Sequence, residues 1–204
     1  MRVGIFGGSF DPIHLGHLWI AESARETLAL DVVRFIPAYR SPLKENAAAA
    51  TEKQRIEMLQ LAIGGHPSFV LDDRELRRGG VSYTVDTLQE LKAEAPSAEF
   101  YLIMGADSLN DFERWRDPLA ICEIATLAVV ARGGEALPDW ERFLRLTDAA
   151  TTERMRRASI DVPLVQVSSR ELRQRVAEGR SIRYRVPRSV ECFIANQGLY
   201  RSNL

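Results

Sequence analysis

Short, β-branched apolar runs alternate with stretches of helical periodicity along nearly the whole chain, and this alternation limits the fold more than any other feature. The runs fall at 2–6, 32–36, 68–71, 99–104, 126–131 and 163–167, and the helical patterns at 15–29, 51–63, 84–94, 139–147, 169–178 and 187–196. In the second pattern Ile56, Leu59, Ala62 and Ile63 keep the spacing of one helix face. Continuously apolar strands are buried on both sides, as in a parallel sheet covered by helices on both faces. The expectation is an α/β, Rossmann-like parallel sheet. The 204 residues suit a single domain over 1–204 with one sizeable core, ending in a small helical portion from about 168 to 204.

Ligands of such sheets bind outside the carboxyl ends of the strands, where strand order reverses. The end of the first run carries Gly7-Gly8-Ser9-Phe10-Asp11-Pro12-Ile13-His14-Leu15-Gly16-His17. This reads as strand, glycine-rich turn and helix, with two imidazoles at the helix N-terminus. Exposed backbone N–H groups and the positive end of the helix dipole favour anions there. The histidines add donors that can become cationic, so the segment reads as a polyphosphate site. Neither G-x-G-x-x-G nor G-x-x-x-x-G-K-[ST] is present. A tight turn alone would explain the glycines, but not His14 and His17 at i and i+3 with Gly16 between them, open to close ligand approach. Metal binding by the pair is the competing reading. Only Asp11 stands near as a third ligand, so no metal site is expected.

Charge is uneven. Residues 151–204 carry a formal +6 and residues 1–150 a formal −7. Most of the C-terminal arginines read as solvated helix surface, with a few left to meet phosphate. The aromatic interleaving of a single-strand nucleic-acid surface is nearly absent, so no nucleic-acid partner is expected. Cys122 and Cys192 lie in apolar surroundings without metal-type spacing and read as buried free thiols. The first apolar run is too short for a signal peptide and no run reaches membrane-span length, giving the expectation of a cytoplasmic protein without membrane contact. The oligomeric state, a homo-oligomer included, stays open. Two stretches read as functional loops. One is 37–50, holding Tyr39, Arg40 and Lys44 before a helix that Thr51 can cap; the other is the arginine- and glycine-rich 76–84. The stretch 133–162 reads as a helical excursion without an assigned role. Trp19 and Trp140 read as core, whereas Trp115, between Arg114 and Arg116, reads as exposed at a site.

The glycine-histidine segment resembles the signature of the nucleotidyltransferases marked by H/T-x-G-H. More closely, the chain resembles the bacterial nicotinate-nucleotide adenylyltransferases. The likeness continues through Ser82-Tyr83-Thr84-Val85-Asp86-Thr87-Leu88, Gly105-Ala106-Asp107-Ser108-Leu109, Phe112-Glu113-Arg114-Trp115, Ser168-Ser169 with Arg173, Val186-Pro187 and Gly198-Leu199-Tyr200. It implies transfer of AMP from ATP, with Mg²⁺, to nicotinate mononucleotide, with release of pyrophosphate. By this resemblance His14, His17 and Lys44 are the catalytic contacts to phosphate, with Gly7, Gly8, Ser9, Phe10 and Gly16 lining the cradle. Gly105 and Asp107 would lie beside the adenosine, although Asp107 could instead cap a helix. Ser168, Ser169 and Arg173 would meet the β- and γ-phosphates. Tyr83, Thr84, Trp115 and Arg116 would bind the mononucleotide, Trp115 by stacking on its pyridinium ring and the others through its carboxylate. The family's Pro-Pro-His-Lys is Ser41-Pro42-Leu43-Lys44 here, which removes one histidine contact at Leu43, with Arg40 a conjectural substitute. The alternatives are an adenylyltransferase for nicotinamide mononucleotide or phosphopantetheine, and a non-catalytic nucleotide-binding regulator.

Overall fold

In a computed structural model, which describes residues 1–42, 48–132, 140–163 and 166–201, the apolar runs become the parallel strands of one sheet. They are β1 (Arg2–Gly8), β2 (Val32–Pro37), β3 (Phe69–Leu71), β4 (Glu99–Gly105), β5 (Ala125–Arg132) and β6 (Ile160–Val162), in the order β3-β2-β1-β4-β5-β6. Every neighbouring pair is parallel. The chain therefore starts in the middle, runs out to β3, and returns to β4 on the other side of β1. This reversal opens a crevice between the carboxyl ends of β1 and β4.

The helices are α1 (Leu15–Thr27), α2 (Glu52–Ile63), α3 (Arg74–Arg78), α4 (Thr84–Glu94), α5 (Ala106–Asn110), α6 (Pro118–Ile124), α7 (Trp140–Leu146), α8 (Ala149–Arg157), α9 (Ser169–Ala177) and α10 (Arg188–Asn196), with a 3₁₀ turn at Phe112–Arg114. Alternate strand residues feed two cores. Phe6, Phe35, Ile103 and Val130 pack with Ala21 and Ala24 of α1, Met58 and Leu59 of α2, Leu172 of α9 and Val190 of α10. Val3, Ile5, Leu102 and Leu127 pack with Leu88 of α4, Ile121 of α6, Phe143 of α7 and Met155 of α8. Thr51 begins α2 with a capping box: its hydroxyl accepts from Gln54 N at 3.3 Å, and the Gln54 side chain accepts from Thr51 N at 2.9 Å.

Several expectations need correction. The last strand among the described residues is Ile160–Val162, ahead of the expected 163–167, of which 164–165 lie outside the described residues. Pairing runs from Val130↔Ile160 to Arg132↔Val162, where β5 ends, and Pro163 has no N–H to carry the ladder further. Residues 76–78, expected in a loop, finish α3, and the short helices α5 and α6 carried too few turns to show a period. Trp19 is 48% exposed rather than core. The buried face of α1 is Gly16, Ala21 and Ala24, small residues that bring the helix close to the sheet and leave no room for an indole. Trp140 is half-buried, edge-on to Phe143. On α2 Arg55 is buried while Ile56 and Ala62 are only half-buried. Cys122 is buried, and burial pushes its thiol up to about 12; Cys192 is partly exposed. No helix among the described residues is long and apolar enough to cross a membrane.

Candidate active site

The turn after β1 is built around Phe10, which has a left-handed backbone (φ 47) and a buried ring. A Cβ on Gly8 would come within 3.1 Å of that ring, so the glycine lets the turn fold over it. The Asp11–Pro12 peptide is cis. His14 then takes an extended conformation as the N-cap of α1. Its Nδ1 accepts from His17 N at 3.4 Å, and His17 Nδ1 accepts from His14 N at 3.3 Å. The two rings stack with centroids 3.7 Å apart. This is a capping box made from two imidazoles. A neutral imidazole that accepts at Nδ1 carries its proton on Nε2, so the reciprocal caps assign both rings the Nε2–H tautomer. Helix capping thus sets which ring nitrogen of each histidine accepts and which donates. Gly16 makes room for this pair: a Cβ there would stand 3.1 Å from His14 Nδ1.

Beneath the turn lies a buried polar cluster. Arg55, 1% exposed, donates from Nη1 to Ser9 O at 2.9 Å and Ala38 O at 2.8 Å, while its buried Nε has no hydrogen-bond partner among the described residues. Burial lowers the guanidinium's pKa, opposed by the Asp11 carboxylate. Asp11, 3% exposed, accepts at Oδ1 from Ala50 N (3.1 Å) and the Tyr200 hydroxyl (2.7 Å), and at Oδ2 from Ala49 N (2.7 Å). Asp11 is therefore a junction of the fold. Sequence reasoning considered it only as a weak metal ligand and missed Arg55 and Tyr200.

The C-terminal helical portion grips the same turn. Ser168 caps α9, accepting from Glu171 N at 3.2 Å. Ser169 Oγ donates to Pro12 O at 2.8 Å, and Arg173 Nη1 donates to Asp11 O at 2.7 Å. Val167 O lies 3.9 Å from the Cβ position of Gly16, so the N-terminus of α9 stands against the start of α1. Across the crevice, Gly105 ends β4. The exposed Asp107 folds back over it in the first turn of α5, its Oδ1 accepting from Ser108 N at 2.9 Å. Lys44 and Leu43 lie outside the described residues.

A second group of expected residues also converges. Tyr83 is the N-cap of α4 and makes no side-chain cap, so the first-turn N–H groups of α4 starting at Thr84 are not covered by it. The Arg116 guanidinium sits 4.8 Å over the Tyr83 ring and pairs with Asp86 at 3.5 Å. Trp115 beside it is half-buried rather than exposed. It packs on Phe112 at 5.4 Å, and its buried Nε1–H has no hydrogen-bond partner among the described residues. This group is tied to the loop after β2: Ser82 Oγ accepts from Tyr39 N at 2.9 Å, and Ser82 N donates to Arg40 O at 2.9 Å. Buried Glu75, which accepts from Thr87 Oγ1 at 2.7 Å and bonds the Ser82 side chain, stands behind it, and burial raises its pKa. Exposed Arg40 contributes its carbonyl to this tie.

A sheet reversing between β1 and β4, with stacked histidines at one helix N-terminus and a second helix braced against it, defines a nucleotidyltransferase-type α/β site. The cytidylyltransferase-like family model matches residues 5–175, and the chain belongs to that family. Within it the chain belongs with the nicotinate-nucleotide adenylyltransferases. It is 49% identical over 199 residues to a protein of Rhodopirellula baltica named "Probable nicotinate-nucleotide adenylyltransferase", covering 98% of this chain and 93% of that one. A protein of the same name from Thermus thermophilus is 45% identical over 201 residues, covering 98% of this chain and all of the relative. Among solved structures, Plasmodium falciparum nicotinic acid mononucleotide adenylyltransferase complexed with NaAD superposes with TM-score 0.75 at 18% identity, covering 98% of this chain and 97% of that one, a likeness of fold.

Proposed function

We propose that this protein transfers the adenylyl group of ATP to nicotinate mononucleotide, giving nicotinate adenine dinucleotide and pyrophosphate in NAD biosynthesis. The observation that carries the reading is the paired imidazole cap at the sheet's reversal, in a chain whose relatives at 40–49% identity share one name. An oxygen of the mononucleotide phosphate attacks the α-phosphorus of ATP. The bond from that phosphorus to the oxygen bridging to the β-phosphate breaks, and pyrophosphate leaves with the electron pair. The attacking oxygen is already anionic, so no base and no covalent enzyme intermediate are needed. The chain has to hold two polyanions in line and to stabilise charge at the transferring phosphorus, for which positioning can supply up to about 7–11 kcal/mol.

His14 and His17 donate from Nε2–H to phosphate oxygens, with His17 serving the transition state. Gly7, Gly8, Ser9, Phe10 and Gly16 shape the cradle, and Lys44 brings the cation from the loop after β2. Gly105 and Asp107 flank the adenosine. Ser168, Ser169 and Arg173 act on the β- and γ-phosphates mainly by placing the α9 N-terminus and bracing the turn. Mg²⁺ enters as part of the nucleotide substrate. It prefers oxygen ligands, which the triphosphate offers, whereas the histidines offer nitrogen. Trp115 presents its partly exposed indole to the pyridinium ring. Tyr83, the N–H groups at Thr84 and Arg116 supply donors near the ring's carboxylate. The expected compartment is the cytoplasm.

Pyrophosphate release from Mg-ATP tests the reading with nicotinate mononucleotide, nicotinamide mononucleotide and phosphopantetheine as acceptors. Release chiefly with the first is expected; preference for another acceptor reassigns the substrate, and no release with any of them supports a binding module. Replacing Trp115 by alanine is expected to raise the mononucleotide KM about 30-fold, since stacking and cation–π attraction each contribute on the order of 1 kcal/mol. An unchanged KM would remove the indole from the acceptor site.

A further inference from the structure

We propose that Tyr200, in the C-terminal Gly198-Leu199-Tyr200 segment, is a positioning residue for the nucleotide: through the Asp11 carboxylate its hydroxyl fixes the end of the β2–α2 loop against the glycine-rich turn. The proposal rests on the reading of that turn as a triphosphate cradle.

Both ends of the 37–50 loop are pinned to the turn. The start is held by Ala38 N donating to Gly8 O at 2.9 Å, and by Arg55 bridging Ser9 O and Ala38 O. At the end, the described hydrogen bonds from Ala49 N and Ala50 N both go to Asp11, and buried Ala50 packs into the core. How the loop's end at Ala49 and Ala50 is set against the turn therefore depends on how the Asp11 carboxylate is turned. That carboxylate is almost fully buried. It accepts two backbone N–H groups and the Tyr200 hydroxyl at 2.7 Å, and its Oδ2 lies 3.8 Å from Arg173. Oδ1 is shared by Tyr200 and Ala50, so the hydroxyl orients the same oxygen that receives the loop. Burial and the neighbouring Asp11 both raise the Tyr200 pKa, which keeps it a donor. A chain end 189 residues away thereby enters the geometry of the first turn.

A tyrosine that merely fastens the C-terminus would change stability without separating the two substrates. The test compares Tyr200→Phe with Ser189→Ala, which removes another tie of the C-terminal portion, Ser189 Oγ to Leu61 O at 2.9 Å, away from Asp11. The readouts are KM for Mg-ATP, KM for nicotinate mononucleotide, the Mg-ATP Kd by calorimetry, and Tm. Misplacing a positioned group by about an ångström costs up to about 10²-fold. Tyr200→Phe is therefore expected to raise KM and Kd for Mg-ATP about tenfold, with the mononucleotide KM changed by less than about twofold. Asp11→Asn should show the same pattern more strongly, and Ser189→Ala should leave both substrates' constants unchanged. A fall in Tm alone, an equal rise in both KM values, or the same ATP effect in Ser189→Ala overturns the proposal. If the wild type binds Mg-ATP but releases no pyrophosphate, the functional reading fails while the Kd comparison still decides the role of Tyr200. A wild type that does not bind Mg-ATP overturns both.

Discussion

His17→Ala is expected to lower kcat by about 10²–10³-fold, the loss that follows removal of one preorganised donor aimed at developing charge. The effect should fall on kcat more than on the KM for ATP, because the bond strengthens as charge builds on the transferring phosphoryl group. His17 also has a structural duty: its Nδ1 accepts from His14 N, and its ring stacks on that of His14. Alanine therefore also costs about 1 kcal/mol of cap stability. His17→Gln separates the two duties, since glutamine at this position of a capping box can accept the same backbone N–H. Tm near that of the wild type with kcat still depressed at least about 10²-fold is the expected result. Turnover restored by glutamine would show that capping, not phosphate contact, is what the imidazole supplies.

Arg55→Met is expected to lower stability by about 3 kcal/mol and Tm by roughly 6–12 °C, measured by calorimetry. Two charge-assisted bonds, to Ser9 O and Ala38 O, are lost, each worth about 1.5–3 kcal/mol. Against this, methionine relieves a buried charge whose Nε has no hydrogen-bond partner among the described residues, so the net falls short of the sum. The same change should cut kcat/KM for Mg-ATP by about 10²-fold, because the two released carbonyls belong to the turn and to the start of the loop after β2. Full stability with full activity would mean that the buried guanidinium is not holding these segments.

Much of the fold was legible because it is written in neighbouring residues. The period of 15–29, the cap at Thr51 and the punctuation after Gly8 each lie within a few positions. The last strand was misplaced because nothing in 160–167 says where β5 ends; pairing to Val130 and Arg132 settles it. Periodicity on α2 pointed to Ile56 and Ala62, yet Arg55 is buried because two carbonyls from other segments wait there to receive it. Residue type alone points Trp19 to the core, and the small buried face of α1 excludes it.

The site divides in the same way. His14, Gly16 and His17 could be found from the sequence because a helix N-cap and its i+3 partner meet by helix geometry alone. That they cap each other through Nδ1, which leaves the proton on Nε2, shows only in three dimensions. The approach of Arg116 to Tyr83, and the meeting of Asp11 with Arg55, Arg173 and Tyr200, join residues far apart in the chain, and the packing of helices and loops around the sheet makes them neighbours. The α/β class, the place of the glycine-histidine turn and the side chains it offers follow from local spacing and residue type, which are written in the order of the chain. Which carboxylate and which buried cation hold that turn in place follows from three-dimensional packing, because burial and partner choice depend on segments that are not neighbours in the chain.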